Sequence, residues 1–287
     1  MNILLPVSRG PSFADALRLA VDTAKVHDGR VRVLAVVDQG EIHRIERGAR
    51  PGAIHLARHA ADEVEKRMVT EGTAVVREAA RFCEAAGVPV QGDVREGEVE
   101  EEILAAAGGC DLLVSAVASH FAPDMEDLPG RLVLSLMKDG TIPVLLAGAP
   151  PRPVRTVVVG CGGGLRSERA TGAMARLSLW RSGCRLILLA VDDSPEEGGG
   201  RLAAPRQILS DAGYSAWEER IVPGPRLSAF SAFCEAEGAD VAVLGGGGGG
   251  GGGALPRGAP TGAATAVRGV VGWRPGRRGS DQEAGGQ

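Results

Sequence analysis

Short apolar runs alternate with helical patterns along the first half of the chain. Residues 3–7 and 31–38 are largely aliphatic and of strand length, which is typical of parallel strands that are covered on both faces. Between them, Leu17, Val21 and Ala24 fall on one face of a predicted helix. The alternation predicts a parallel sheet with helices on both faces, because parallel strands need crossover connections.

A long helix is predicted after the second strand. Its apolar positions recur every seven residues: Ile54, Ala61, Met68, Val75 and Phe82. We interpret this stripe as a face packed on the core, since Gly72 interrupts it and several neighbours are alanines, which disfavours an intermolecular coiled coil. His55, His59 and Glu63 on this helix have the spacing of metal ligands, but we interpret them as part of a solvated face.

The pattern of the first half then repeats. TVVVG at residues 156–160 repeats ILLPV, RLILLAVDD at residues 185–193 repeats RVRVLAVVD, and ADVAVLG at residues 239–245 repeats CDLLVSA. In the second copy the long helix is expected to shrink to about three turns, at residues 201–211.

We therefore predict an α/β fold made of two doubly wound parallel-sheet domains. A chain of 287 residues has room for two cores of ordinary size. The first domain is predicted at residues 1–149. The second is predicted at residues 154–253 and is incomplete at its C-terminus, with a poorly structured tail at residues 254–287.

Nine consecutive glycines, residues 245–253, mark the point at which the second copy loses its pattern. The first copy ends on the apolar run TIPVLLAG, and the tail shows no counterpart to it. Two explanations stay open: a slip in a guanine-rich codon run that shifted the reading frame, or a natural domain that has degenerated. The unmatched strand of the first copy, from Ile142 to Leu146, is expected to be an unpaired edge that joins two chains in a homodimer.

Composition and charge exclude several classes of function. The net charge is −4, so binding to nucleic acid is not expected. No window reaches the roughly 18 apolar residues of a membrane span, and the N-terminus has no basic stretch, so we expect a cytoplasmic protein without membrane insertion. The five cysteines form no CxxC pair and the second copy has no histidine, so neither a cysteine metal site nor triad catalysis is expected.

Two five-strand units that begin on ILLPVS and TVVVGC, and reach DLLV or DVAV before a loop, resemble the universal stress protein family in tandem form. The resemblance covers nearly the whole chain and implies an adenine nucleotide alpha hydrolase-like fold. Many members bind ATP through an Asp after the first strand and a loop in which Gly, two residues, Gly, nine residues and Gly precede Ser or Thr. The resemblance therefore implies an adenine nucleotide, ATP or AMP, as the candidate ligand, since glycines let backbone N–H groups approach phosphate.

The first copy departs from this family loop. Ser8 stands where the Asp is expected, and Val117 and His120 stand at the first two glycine positions. Side chains at these positions would crowd a phosphate, so we interpret the first site as lost. His120 has no patterned nucleophile or carboxylate partner, and we interpret it as an ordinary loop residue.

The second copy keeps the glycines. Their spacing after the fourth strand matches the family loop, although Ala259 replaces Ser or Thr. A second cluster, GCGGG at residues 160–164, ends the first strand and is neither a P-loop nor a dinucleotide fingerprint. Cys161 stands at the expected Asp position, and its side chain is expected to be buried. The candidate nucleotide-binding residues are Gly160, Cys161, Gly162, Val191, Gly245, Gly248 and Gly258.

From the resemblance we expect a non-catalytic regulatory protein of the stress response. The alternative is a protein-interaction scaffold that has lost nucleotide binding. A nucleotide-hydrolysing or adenylyl-transferring enzyme would need Mg²⁺ ligands and a base, and the sequence shows no pattern for either.

Overall fold

Strands and helices alternate along each half of the chain. The computed structural model describes residues 1–7, 12–48, 54–116, 142–147, 154–245 and 270–272. The first half contains β1 (Asn2–Pro6), α1 (Ser12–Val26), β2 (Arg30–Asp38), α2 (Gln39–Arg47), α3 (Ile54–Ala85), β3 (Val90–Gly97), α4 (Val99–Ala107), β4 (Leu112–Ala116) and β5 (Val144–Ala147). The second half contains β6 (Thr156–Gly160), α5 (Leu165–Arg176), β7 (Arg185–Val191), α6 (Pro195–Asp211), β8 (Glu218–Val222), α7 (Arg226–Ala236), β9 (Val241–Val243) and β10 (Val270–Gly272).

The strands form a sheet in the order β3-β2-β1-β4-β5-β10-β9-β6-β7-β8. Within each half all pairs are parallel, and the strand order reverses between β1 and β4 and again between β6 and β9. The predicted α/β fold of two doubly wound parallel sheets is therefore confirmed. The second half is the less complete, since β9 and β10 have three residues each. Among the helices in the described ranges, none is long and apolar enough to cross a membrane.

Alternate residues of β1 pack into opposite layers. Ile3 and Leu5 belong to the apolar cluster that includes Ala20 of α1, whereas Leu4 packs with Ile103 of α4 on the other face. Successive side chains of a strand point to opposite faces of the sheet. A strand covered on both faces must therefore be apolar throughout, which explains the aliphatic runs in the sequence.

Helix α3 confirms the predicted long helix, but its buried face differs from the seven-residue repeat. The buried positions are Ala61, Met68, Val76, Ala79 and Cys83. Ile54 and Phe82 are exposed, and Val75 is half-buried. Because an α-helix has 3.6 residues per turn, a strict seven-residue repeat drifts around its surface by about 20° per heptad. The face that packs on the sheet therefore steps from Met68 to Val76 and not to Val75.

Helix α6 corrects the prediction of a short helix at residues 201–211. It has 17 residues and begins at Pro195, directly after the N-cap Ser194, whose hydroxyl accepts a hydrogen bond from the backbone N–H of Glu197 (3.3 Å). Glycine disfavours helix interiors, which is why the sequence pattern placed Gly198 outside the helix. A Cβ at Gly198 would come within 2.6 Å of the Ile221 side chain on β8, so the close packing of helix on sheet requires a glycine there.

Strand β10 joins the two halves. It pairs in parallel with β9 and antiparallel with β5, with Val271 opposite Leu145. The prediction that the tail contains no closing strand is therefore wrong, and so is the expectation of an unpaired edge from Ile142 to Leu146. A three-residue strand is too short for hydrophobic periodicity to reveal. A homodimer through β5 would have to displace β10 of the same chain.

Candidate functional site

Two glycine-rich segments leave adjacent strands of the second half at the same edge of the sheet. Gly160 is the last residue of β6, and Gly245 follows β9 by two residues. The two strands pair in parallel, with Val159 opposite Val243. The strand order reverses between them, and ligands of doubly wound folds bind at the carboxyl ends of strands at such a reversal. We call the space between residues 160–164 and Gly245, the described parts of these two segments, the second-half crevice.

Gly160 lies in a crowded place at the end of β6. A Cβ at this position would come within 2.8 Å of Leu244 Cδ2 and 3.1 Å of Phe230 Cε2. Phe230 belongs to α7 and is buried, so it cannot retreat easily. The apolar cluster that holds Phe230 also contains Val191. Gly160 therefore packs against this cluster, and Val191 is one of its members.

The helix after the first glycine segment has an N-terminus without a side-chain cap. Gly164 is the N-cap of α5 in extended conformation, and no side chain accepts a hydrogen bond at this cap. The Ser167 hydroxyl donates to the Gly164 carbonyl (2.9 Å) and so does not cap the first N–H groups. A helix N-terminus in this state favours an anion, because its N–H groups and dipole present positive charge.

Gly245, the first residue of the second glycine segment, lies directly against this helix. A Cβ at Gly245 would lie 2.5 Å from the carbonyl oxygen of Arg166 and 2.6 Å from the backbone nitrogen of Ser167. Only glycine permits this approach, since the contact is with backbone atoms that cannot move without distorting α5. The predicted site residues Gly160, Gly162 and Gly245 are thus brought to one crevice. Gly248 and Gly258 lie outside the described residues.

Arg201 of α6 closes one side of the crevice. Its Nε–H donates to Asp192 Oδ2 (2.7 Å), and its Nη1–H donates to the Gly162 carbonyl oxygen (2.9 Å). A Cβ at Gly163, whose φ is +72°, would come within 2.8 Å of Arg201 Cγ. The side chain therefore lies directly over the glycine segment. Arg201 is not among the predicted site residues, because its contact with Gly162 spans 39 positions and no local motif indicates it.

Asp192 holds this arginine in place. Its carboxylate accepts a hydrogen bond from the backbone N–H of Ser194 (3.0 Å) and forms an ion pair with the Arg201 guanidinium (2.5 Å). The Ser194 hydrogen bond, followed by the Arg201 hydrogen bond and the charges of Arg201 and Arg226, lowers the pKa of Asp192. The side chain is only 10% exposed, so the pair is shielded from solvent. A weak sequence signal did exist, since an Asp also ends the equivalent strand β2.

Cys161 does not stand at the position equivalent to Ser8. The backbone N–H of Cys161 donates to the carbonyl of Leu189, the fifth residue of β7 (2.8 Å), and Val7 donates to Leu34, the fifth residue of β2 (2.7 Å). Cys161 is therefore the counterpart of Val7, and Gly162 is the counterpart of Ser8. The prediction that placed Cys161 and Ser8 at one family position is wrong by one residue.

The Cys161 side chain is buried in the core, as the sequence analysis expected. It is 2% exposed, and its thiol donates to the Val159 carbonyl oxygen (3.4 Å). Burial raises the pKa of Cys161 to about 12. The thiol is thus held protonated and faces the core, so it offers a ligand no contact.

The corresponding end of the first half is built differently. Asp38 ends β2, and its carboxylate accepts a hydrogen bond from the backbone N–H of Glu41 (3.2 Å), which caps α2. Arg44 of α2 lies 3.9 Å from the same carboxylate. The predicted loss of the first site rests on Ser8, Val117 and His120, which lie outside the described residues.

The described ranges contain no group of three His, Cys, Asp or Glu residues that could hold a metal ion. This finding includes His55, His59 and Glu63, which all lie on the described helix α3. These three side chains lie on one helix, and a metal site would also require a ligand from a second element.

Comparison with known proteins finds a similarity in the first part of the chain. Residues 1–123 match the model of the Universal stress protein family. The N-terminal part of the chain is therefore similar to the universal stress protein family. No curated protein matches the sequence.

Solved structures extend the likeness to both halves. A universal stress protein from Archaeoglobus fulgidus is 20% identical, covers 96% of this chain and 98% of its own, and superposes with a TM-score of 0.67. A functionally unknown protein from Pseudomonas aeruginosa is 15% identical, covers 96% of this chain and 92% of its own, and has a TM-score of 0.58. At these identities the likeness is one of fold, and the fold includes two successive α/β units.

Proposed function

We propose that the protein is a non-catalytic regulator of the universal stress protein type that binds an adenine nucleotide, ATP or AMP, in the second-half crevice. The contact of Gly245 with the first turn of α5 carries this proposal. It brings the start of the second glycine segment onto a helix N-terminus that already follows a first glycine segment. Phosphate is favoured in such a place, because the first N–H groups of the helix have no side-chain cap and glycines let the backbone approach an anion closely.

The proposed role is binding without chemistry. Triad or acid-base catalysis needs a base that can reach the bound substrate, and the second half of the sequence has no histidine. Cys161, the thiol next to the crevice, is buried and its pKa is raised to about 12 by that burial. A nucleotide bound here would therefore act as a regulatory ligand.

Substitutions of Gly164 test this proposal without disturbing the packing of the fold. A Cβ at this position meets no atom within 4 Å, and the residue has extended φ and ψ angles that any amino acid adopts. Gly164→Asp would cap α5 with its own carboxylate and repel a phosphate, whereas Gly164→Asn would cap it without the charge. We expect ATP and AMP to raise the melting temperature of the wild-type chain and of Gly164→Asn, but not that of Gly164→Asp.

A protein-interaction scaffold is the second candidate, and the Arg201 side chain favours it. Arg201 lies over Gly163 and bonds the Gly162 carbonyl, so the chain's own side chain fills part of the crevice. Gly162 is the counterpart of Ser8, where the family Asp is expected, and it has no carboxylate to offer a nucleotide. If no adenine nucleotide shifts the melting temperature of the wild-type chain, this second function replaces the first.

A further inference from the structure

The Arg201 side chain links the glycine segment after β6 to the carboxyl end of β7. It connects Asp192, at the carboxyl end of β7, with the Gly162 carbonyl of the glycine segment after β6. Asp192 is itself fixed by the backbone N–H of Ser194 (3.0 Å). A continuous set of hydrogen bonds thus runs from the start of α6 through Asp192 and Arg201 to the crevice.

The helix that carries Arg201 contains several poor helix formers around this residue. Gly198, Gly199 and Gly200 directly precede Arg201, and Pro205 lies within the same helix. Glycine and proline are the two poorest helix formers. A Cβ at Gly199 or Gly200 would meet nothing within 4 Å, so packing does not explain these two glycines as it explains Gly198. The segment before Arg201 therefore has little intrinsic helical stability.

The partners of Arg201 are of a kind that a phosphate can replace. A guanidinium forms bidentate pairs with carboxylates and with phosphates in the same planar geometry. The Arg201 side chain is 19% exposed, so an anion in the crevice can reach it. The Gly162 carbonyl is a neutral acceptor and makes a weaker bond to the guanidinium than an anion does.

We propose that Arg201 is an anion-responsive latch: it ties Gly162 to Asp192 without ligand, and a pyrophosphate group entering the second-half crevice takes over its guanidinium and frees the glycine segment. The identity of the natural ligand as a nucleotide rests on the proposed function. The latch itself concerns only the anion. Asp192 is then the competitor of the ligand for Arg201, and Arg201 is the residue that selects phosphorylated ligands.

Substitutions of Arg201 and Asp192 should change the affinity for pyrophosphate in opposite directions, which tests this proposal. Inorganic pyrophosphate is titrated calorimetrically into the full chain, into Arg201→Gln and into Asp192→Asn. We expect Asp192→Asn to bind pyrophosphate about tenfold more tightly than the wild type, because the competing charge is gone, and Arg201→Gln to bind at least tenfold more weakly. Equal affinities, or a loss in both variants as for a purely structural ion pair, would overturn the latch.

Hydrogen exchange of the unliganded chain is the second test of the latch, with Arg206→Gln as the matched control. Arg206 lies on the same helix and pairs bidentately with Glu219 at 2.8 Å, away from the glycine segment. We expect amides of residues 160–167 to exchange at least tenfold faster in Arg201→Gln and unchanged in Arg206→Gln. Unchanged exchange in Arg201→Gln, or the same increase in both variants, would contradict the latch.

The same titrations separate this proposal from the proposed function. If pyrophosphate follows the expected pattern while ATP, ADP and AMP do not bind, the latch stands and nucleotide binding is wrong. If the nucleotides bind equally to all three chains, nucleotide binding stands and the latch is wrong. If neither pyrophosphate nor any nucleotide binds, both are wrong.

Discussion

Asp240 and Thr156 form a reciprocal pair at the amino end of the second sheet: the Thr156 N–H donates to Asp240 Oδ2 (3.1 Å), and the Asp240 N–H donates to the Thr156 carbonyl (2.9 Å). Asp111 and Asn2 make the same two contacts in the first half, at 2.7 and 2.8 Å. The two halves thus repeat a side-chain interaction as well as a strand order. In both, one carboxylate aligns the first strand with the fourth.

The burial of these two carboxylates differs, which predicts different effects of their removal. Asp240 is 3% exposed and also accepts from the Arg155 N–H (2.9 Å), whereas Asp111 is exposed. Asp240→Ala leaves two backbone donors without this acceptor and should lower the free energy of unfolding by roughly 2–3 kcal/mol. Asp111→Ala should lower it by about 1 kcal/mol or less. Urea unfolding of both variants measures this, and an equal loss would contradict the argument.

The buried position of Cys161 predicts that an acidic residue is not tolerated there. Cys161→Asp places a carboxylate among core side chains and should destabilise the chain by more than about 3 kcal/mol at pH 7. Burial raises the pKa of such a carboxyl, so the loss should grow as the pH rises from about 4 to 8. Cys161→Ala is the control and should show no such pH dependence. A Cys161→Asp chain as stable as this control would show that the side chain faces solvent.

The lowered pKa of Asp192 predicts an acid-dependent contribution to stability. Its causes are the hydrogen bond from Ser194 and then the bond and charge of Arg201. A carboxyl with a lowered folded-state pKa stabilises the fold above its unfolded value of about 3.9 and loses that effect as the pH falls through the folded value. The difference in free energy of unfolding between wild type and Asp192→Asn should be constant from pH 7 to about 5. It should shrink below about pH 4, and a difference that widens instead contradicts the assigned cause.

The position of β10 predicts how the chain associates. Val271→Pro removes one ladder hydrogen bond from a strand that is paired on both sides, whichever neighbour its N–H faces. The edge of β5 is then exposed and becomes a template for a second chain. Light scattering should show a monomer for the wild type and for Val271→Ala, and dimers for Val271→Pro. A wild-type dimer that is unchanged in Val271→Pro would show that association uses another surface.

Much of the fold could be predicted because its strands are covered on both faces. Ile3, Leu4 and Leu5 must all be apolar in such a strand, and the second half repeats the pattern with Val157, Val158 and Val159. The helices were harder to place. Val76 replaced Val75 on the buried face of α3 because a seven-residue repeat approximates 3.6 residues per turn only locally.

The candidate site could be predicted only as far as it is local in sequence. The glycines after β6 and β9 follow buried strands, so their place at the carboxyl edge could be inferred. The Arg201 contact to Gly162 could not, because it depends on how α6 packs on β8, and that packing depends on a glycine, Gly198, that the pattern placed outside the helix. Tertiary contact here overrides local propensity.

The stoichiometry of AMP and ATP binding to the full wild-type chain tests the central claim most directly. Calorimetric titration should show one nucleotide per chain, since only the second half has glycine segments that converge on an uncapped helix N-terminus among the described residues. Binding of two nucleotides per chain, or of none, would contradict a single nucleotide site in the second-half crevice.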